Sequence, residues 1–150
     1  MRASSFYTAG VEAAALIGPC VVKGEYMSAH VNRPYASNAN FHGWHVQGMY
    51  VLTGEHRSYD PKNGKFAGVN ASKPTGAWEV AVRHSYLNLN DHDINGGAAH
   101  NTSLSLGWYA TKHIRVVTNY IRSSVHAASA TSSTAHRGIN ILGARLQVAW

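Results

Sequence analysis

Along Phe41–Tyr59, FHGWHVQGMYVLTGEHRSY, apolar and polar positions alternate. Trp44, Val46, Tyr50 and Leu52 share one parity; His45, Gln47 and Thr53 share the other, with Met49 and Val51 between them. A period of two marks a β-strand with two different faces, because successive side chains point to opposite sides. The apolar parity starts and ends near aromatic residues, and a polar, turn-rich segment follows. In a soluble sandwich that parity would face a core. In an outer-membrane barrel it would face lipid, and the polar parity would line water.

The same design recurs along the chain and predicts seven strands. The first is Phe6–Ile17, closed by the Gly18-Pro19 turn signal. The second is Cys20–Val31, followed by a loop over Asn32–Asn40. The third is Phe41–Gly54, and Glu55–Thr75, broken at Pro61, Gly64 and Pro74, is a long irregular connection. Gly76–Leu89 is the fourth strand, with Trp78, Val80, Val82 and Tyr86 opposed to Glu79, Ala81, Arg83 and Ser85. A polar loop over Asn90–Ala99 leads to the fifth strand, His100–Tyr109, and a tight turn at Ala110–His113. Ile114–Ser123 is the sixth strand, Ser124–Gly138 a loop, and Ile139–Trp150 the seventh. No helix is predicted. The fold class is all-β, an antiparallel up-and-down meander in a single domain over residues 1–150. Short and long connections alternate, as in up-and-down barrels, except at Glu55–Thr75, which is long where a short turn belongs.

Composition favours the lipid reading. Charged residues are 13% of the 150, about half the usual share. No run of 18 apolar residues exists, so any spanning must be by strands. At the N-terminus, Arg2 and Ala13–Ile17 carry an apolar stretch that Glu12 interrupts; it reads as a strand, and no signal peptide is visible. One cysteine, Cys20, excludes an internal disulfide. The net charge of +6 is dispersed. That argues against nucleic acid as a partner and suits an anion pathway.

The stretches GWHVQGMYVLTGEHRSYDPKNGKF, GAWEVAVRHSYLNLND, LGWYATKHIRVVTNYIR and LGARLQVAW, in this order and spacing, resemble the C-terminal part of the phosphate-selective porin O and P family. The resemblance covers the whole chain, most clearly Gly43–Trp150. It implies part of a 16-stranded-type outer-membrane β-barrel that passes anions such as phosphate or polyphosphate. It also implies a bilayer setting, a homotrimer and a terminal aromatic, Trp150, presented to the assembly machinery. In the family the constriction loop belongs to the N-terminal half, which is not among these 150 residues.

Lys23, Arg83, Arg115 and Arg145, with the acids Glu12, Glu25 and Glu79, fall on the predicted water-facing parity. A charge facing lipid at mid-depth costs about 2–4 kcal/mol. The cations would hand anions along by weak successive contacts; the bland alternative is that they pair with the acids and hold the wall. Glu12 and Lys23 flank one hairpin and are expected to pair. Arg115 and Arg145 show no acid at a cross-strand position and are the better anion candidates. Trp78, Val80, Val82, Leu104, Leu106, Leu142, Leu146 and Val148 are expected on the convex face.

Trp44, Trp78, Trp108 and Trp150, with Tyr50 and Tyr109, sit near strand ends and read as an aromatic girdle. His42 and His45 face opposite sides. Asp91, His92 and Asp93 are loop decoration rather than a metal site, and no zinc spacing occurs. No cofactor is implied. No Gly-x-Ser-x-Gly elbow or deliberate acid pair supports catalysis, so the chain is read as a non-enzyme. The competing reading is a soluble, lipocalin-like β-domain that binds a ligand or partner.

Overall fold

In the computed structural model of the chain, the described residues are 3–57, 59–60, 62, 65–66, 68–69, 71, 73–127 and 135–149. The strands are β1 (Ser5–Ile17), β2 (Cys20–Asn32), β3 (Ala39–Val51), β4 (Tyr59–Asp60), β5 (Lys65–Phe66), β6 (Ala77–Asp91), β7 (Ile94–Tyr109), β8 (Ile114–Ala127) and β9 (Ala135–Val148). Seven of them form one antiparallel meander in the order β1-β2-β3-β6-β7-β8-β9, and β4-β5 is a separate short ribbon. β1 and β9 are the two edges of the sheet, and they run in the same direction.

Register follows the alternation. Trp78, Trp108, Val116 and Leu146 form one cross-strand row, and Val82, Leu104, Tyr120 and Leu142 another. This face is not covered: Leu142 is 83% and Leu146 66% exposed. Residues of the opposite parity on β1, β2, β3, β6, β7, β8 and β9 line one shared cavity, so that face is concave and the apolar one convex. Among the described residues few apolar side chains are buried, and of these Val51, Val69, Ala77 and Tyr109 cluster, with Ala71 beside them. A soluble sandwich would bury its apolar parity; this sheet leaves it open around its whole outer curve.

Three connections differ from expectation. The polar loop placed at Asn90–Ala99 is a tight turn at His92 and Asp93, with β7 starting at Ile94. His92 takes a positive φ of 46° there. The loop placed at Ser124–Gly138 is strand at both ends, since β8 runs to Ala127 and β9 starts at Ala135; residues 128–134 lie outside the described residues. Within the irregular Glu55–Thr75 connection, Tyr59 pairs with Phe66 and Asp60 with Lys65.

That connection folds inward. Val69 packs against Val51, Ala77 and Tyr109, and Phe66 lines the concave cavity. Its roots are tied to the wall. Leu52 N donates to Trp78 O (2.8 Å), Trp78 N to Thr53 Oγ1 (3.1 Å), and Trp108 Nε1 to Thr75 O (3.0 Å). Gly76 closes it with φ +79°, a left-handed conformation that favours glycine. A Cβ there would also stand 2.8 Å from Trp108 Nε1 and collide with the Tyr109 carbonyl.

Candidate anion-facing wall

The concave cavity has a volume of ≈ 710 Å³ and collects charge from five wall strands and the inward segment. Lys23, Arg57, Arg115 and Arg145 line it as cations, Glu12 and Glu79 as acids. That is an excess of two positive charges over the lining.

Glu79 organises the centre. It is 3% exposed. Arg57, from the inward segment, donates Nε to its Oε2 at 2.9 Å, and the Arg57 Nη2 also binds that oxygen. Arg115 Nη2 reaches Oε1 at 3.3 Å, and Tyr109 Oη donates to the same oxygen at 3.4 Å. Arg115 lies over the Tyr109 ring, 4.6 Å from its centroid. Glu79 on β6 and Arg115 on β8 are separated by β7. Gly107, the β7 partner of Glu79, carries no side chain between them; a Cβ there would be in ordinary contact with Arg115 Nη2, at 3.5 Å. Arg115 has no acid at a cross-strand position, its partners there being Tyr109 and Gln147, yet it is not without one. The acid comes from two strands away, which a nearest-strand reading cannot reach. Arg115 Nε is buried without a partner among the described residues.

The other sites fall as follows. Arg145 lines the cavity on β9, and its Nη2 donates to Gln147 Oε1 at 3.3 Å. Arg83 pairs across the sheet with Gln47 and is exposed on the concave face, near Glu12, Lys23 and Glu25. The expected Glu12–Lys23 pair is not formed. The register sets Glu12 opposite Glu25 and Lys23 opposite Ala14, and the Lys23 ammonium stands 5.9 Å over the Phe66 ring. Glu25 approaches His45 instead (3.6 Å). Asp93 and Asp91 tie two connections at the far rim: Arg33 Nη1 donates to Asp93 Oδ2 (2.8 Å), and Asn40 N to Asp91 Oδ2 (2.6 Å).

Sequence reasoning missed Arg57 and Phe66. The one hint was Glu79 itself, an acid alone among apolar neighbours, which needs a partner from elsewhere.

Two aromatic groups mark the convex face. Trp78 and Trp108 stack (5.9 Å) beside the β7–β8 turn. Trp44 meets Tyr86 (6.3 Å) further along. Trp78 and Tyr86 lie eight residues apart on β6. At about 3.3 Å per residue and a tilt of about 40°, they are separated by roughly 20 Å of height. An outer-membrane apolar band is about 25 Å tall. Trp150 lies outside the described residues.

Comparison with known proteins agrees with this geometry. The family model described as "Phosphate-selective porin O and P" matches residues 3–150. An uncharacterised protein of Caulobacter vibrioides is 31% identical over 114 residues, 72% of this chain and 23% of its own. Porin O of Pseudomonas aeruginosa is 27% identical over 128 residues, 76% of this chain and 29% of its own. The chain thus spans less than a third of the length of either relative. With the family model matched along nearly its whole length, the chain belongs to the phosphate-selective porin O and P family.

Proposed function

We propose that this chain is the wall of an outer-membrane pore and that its concave face passes anions of the phosphate class. The carrying observation is the excess of cations over acids around one water-open cavity, set behind a convex face with no cover. Arg115, Arg145, Arg83 and Lys23 are the wall cations in this reading, and Arg57 joins them from the inward segment. Glu79 neutralises part of the Arg57–Arg115 pair, so the mobile anion meets partial rather than full charges. Arg145, which lines the cavity and bonds an amide oxygen and no acid among the described residues, is the contact best placed for a solute. The guanidinium fork matches phosphate oxygens. Weak contacts suit conduction, since an anion must leave each site as readily as it enters. Glu12 and Glu25 would raise the barrier to anions near β1 and β2. A homotrimer of completed barrels is the assembly that the family implies.

Both sheet edges carry unpaired backbone groups, which lipid does not tolerate. The isolated 150-residue chain is therefore expected not to conduct. The test is a chimera in which these residues replace the matching segment of the P. aeruginosa Porin O, studied in planar bilayers under a salt gradient. The expected reversal potential has the sign of anion preference. A cation-preferring or non-selective chimera with full conductance overturns the proposal. If the wild-type chain stays in the aqueous phase of a detergent phase separation, the soluble-domain reading replaces it.

A further inference from the structure

The convex face is not apolar throughout. Its last apolar row is Val82, Leu104, Tyr120 and Leu142; the next row away from Trp78 is His84, Thr102, Arg122 and Asn140. On the same parity, the rings of Tyr26, His42, Tyr86, His100 and His126 form an unbroken chain across β2, β3, β6, β7 and β8. The centroid separations are 6.4, 6.0, 4.6 and 6.1 Å. His84 joins it through Trp44 (5.5 Å) and His100 (5.8 Å).

The polar boundary is staggered. His42 pairs with Asn88, four residues beyond His84 on β6. A level membrane surface cutting tilted strands meets successive strands at shifted register positions, as here. Past the rings, β6 and β7 continue to Asp91 and back from Ile94, so the strands project beyond the belt. At the Trp78–Trp108 end they stop at once. The belt therefore lies at the outward membrane boundary.

Its chemistry is one-sided. Arg122 is exposed and makes no hydrogen bond or ion pair among the described residues. His84 commits Nδ1 to Thr102 Oγ1 (2.9 Å), which leaves Nε2. No acid of the described strands shares this parity: Glu12, Glu25 and Glu79 are concave. Asp91 and Asp93 at the rim are engaged with Asn40 and Arg33. A guanidinium is costly at mid-bilayer and nearly free at the interface, where it needs an anion to meet it.

We propose that this belt docks phosphorylated headgroups of outer-leaflet lipids, with Arg122 as the charged anchor and His84, His100 and His42 as ring N–H donors. The proposal rests on the convex face being the lipid side. The surface is convex, so a free phosphate would meet too few donors at once; a headgroup layer brings phosphates to all of them at one level. A second protein copy would cover a strip from rim to rim, whereas the belt crosses strands.

The test uses the Porin O chimera folded in zwitterionic detergent micelles, with imidazole ¹H–¹⁵N resonances as the readout. Bisphosphorylated lipid A, the same lipid without phosphates, and inorganic phosphate are titrated separately. Saturable shifts at His84 and His100 are expected with the phosphorylated lipid only. Arg122→Gln should weaken that titration about tenfold, the loss of one charge-assisted contact, with Arg122→Lys intermediate and Lys112→Gln, at the opposite rim, without effect. Equal shifts with the dephosphorylated lipid mean contact with acyl chains alone and overturn the proposal. Shifts with inorganic phosphate mean a free-anion site and overturn it too, as do shifts that follow protein concentration instead of lipid, the sign of a second copy. If Arg122→Gln does not fold, the wild-type comparison of the two lipids decides. A chimera that folds in micelles but shows no anion preference in planar bilayers refutes the pore reading instead, so the two failures are distinguishable.

Discussion

Replacing Glu79 by Gln tests whether one carboxylate both holds the inward segment and sets the charge of the pore. The substitution keeps the shape and removes the charge between Arg57 and Arg115. Breaking a buried ion pair by removing one partner costs about 3–5 kcal/mol. Here both arginines can turn toward the open cavity, and the Arg115 side chain keeps 29% of its exposure. A loss of about 2–3 kcal/mol is therefore expected, within the worth of one or two hydrogen bonds to a charged group. The freed charge acts on a passing anion. At about 6 Å in water it contributes roughly 0.7 kcal/mol, and salt of about 0.1 M lowers this to roughly 0.4 kcal/mol. That is about a twofold rise in anion occupancy. In the Porin O chimera, urea unfolding followed by tryptophan fluorescence should show the lower midpoint, and the reversal potential should move further toward anions. Glu79→Ala, which removes the amide as well, should unfold earlier still. An unchanged midpoint together with an unchanged reversal potential refutes the reasoning, because neither arginine would then depend on Glu79.

Arg145→Ala and Arg115→Ala should separate selectivity from structure. The first should reduce anion preference by less than about twofold at an unchanged urea midpoint. The second should lower both, since Arg115 also stacks on Tyr109. Gly76→Ala should cost about 2 kcal/mol or more, from strain at positive φ and from the collision with the Tyr109 carbonyl, read as a lower urea midpoint. The Asp93 carboxyl, which accepts from the Arg33 guanidinium in the turn, is held down to about 2 against its usual 3.8. A depressed carboxylate adds stability above its unfolded pKa and loses it as pH falls through the folded one. Amide protection factors in the 33–38 loop should therefore fall between about pH 4 and pH 2, and Asp93→Asn should remove that step.

The strands were legible where one face is apolar and the other polar, because only there does the period of two appear. Val80–Val82 against Glu79–Arg83 shows it plainly. The signal fades where both faces of a strand are polar or small. Asn95–Ala99 is polar or small on both faces, so it read as loop although it belongs to β7, paired with β6 on either side of the irregularity at Gly96 and Gly97. Arg57 and Phe66 were illegible for another reason. Their positions follow from the inward fold of residues 52–76, a segment without periodicity, held by Val69 against Val51 and Tyr109. Arg115 showed the limit of pairwise reasoning, since its acid lies across Gly107 on the strand after next. The Glu12–Lys23 expectation failed on two positions of register: the hairpin sets Glu12 against Glu25 and Lys23 against Ala14.

The common direction of β1 and β9 has an arithmetic consequence. In a barrel that is antiparallel throughout, no even number of added strands can join these edges, and two copies side by side in one membrane orientation would meet in parallel. Any closing polypeptide must contribute an odd number, which brings the total to an even one, as bacterial barrels require. The same parity makes the sheet a natural half of a split protein. A separately made segment with an odd strand count could close it in trans, with the membrane itself penalising every mismatched count through unpaired backbone.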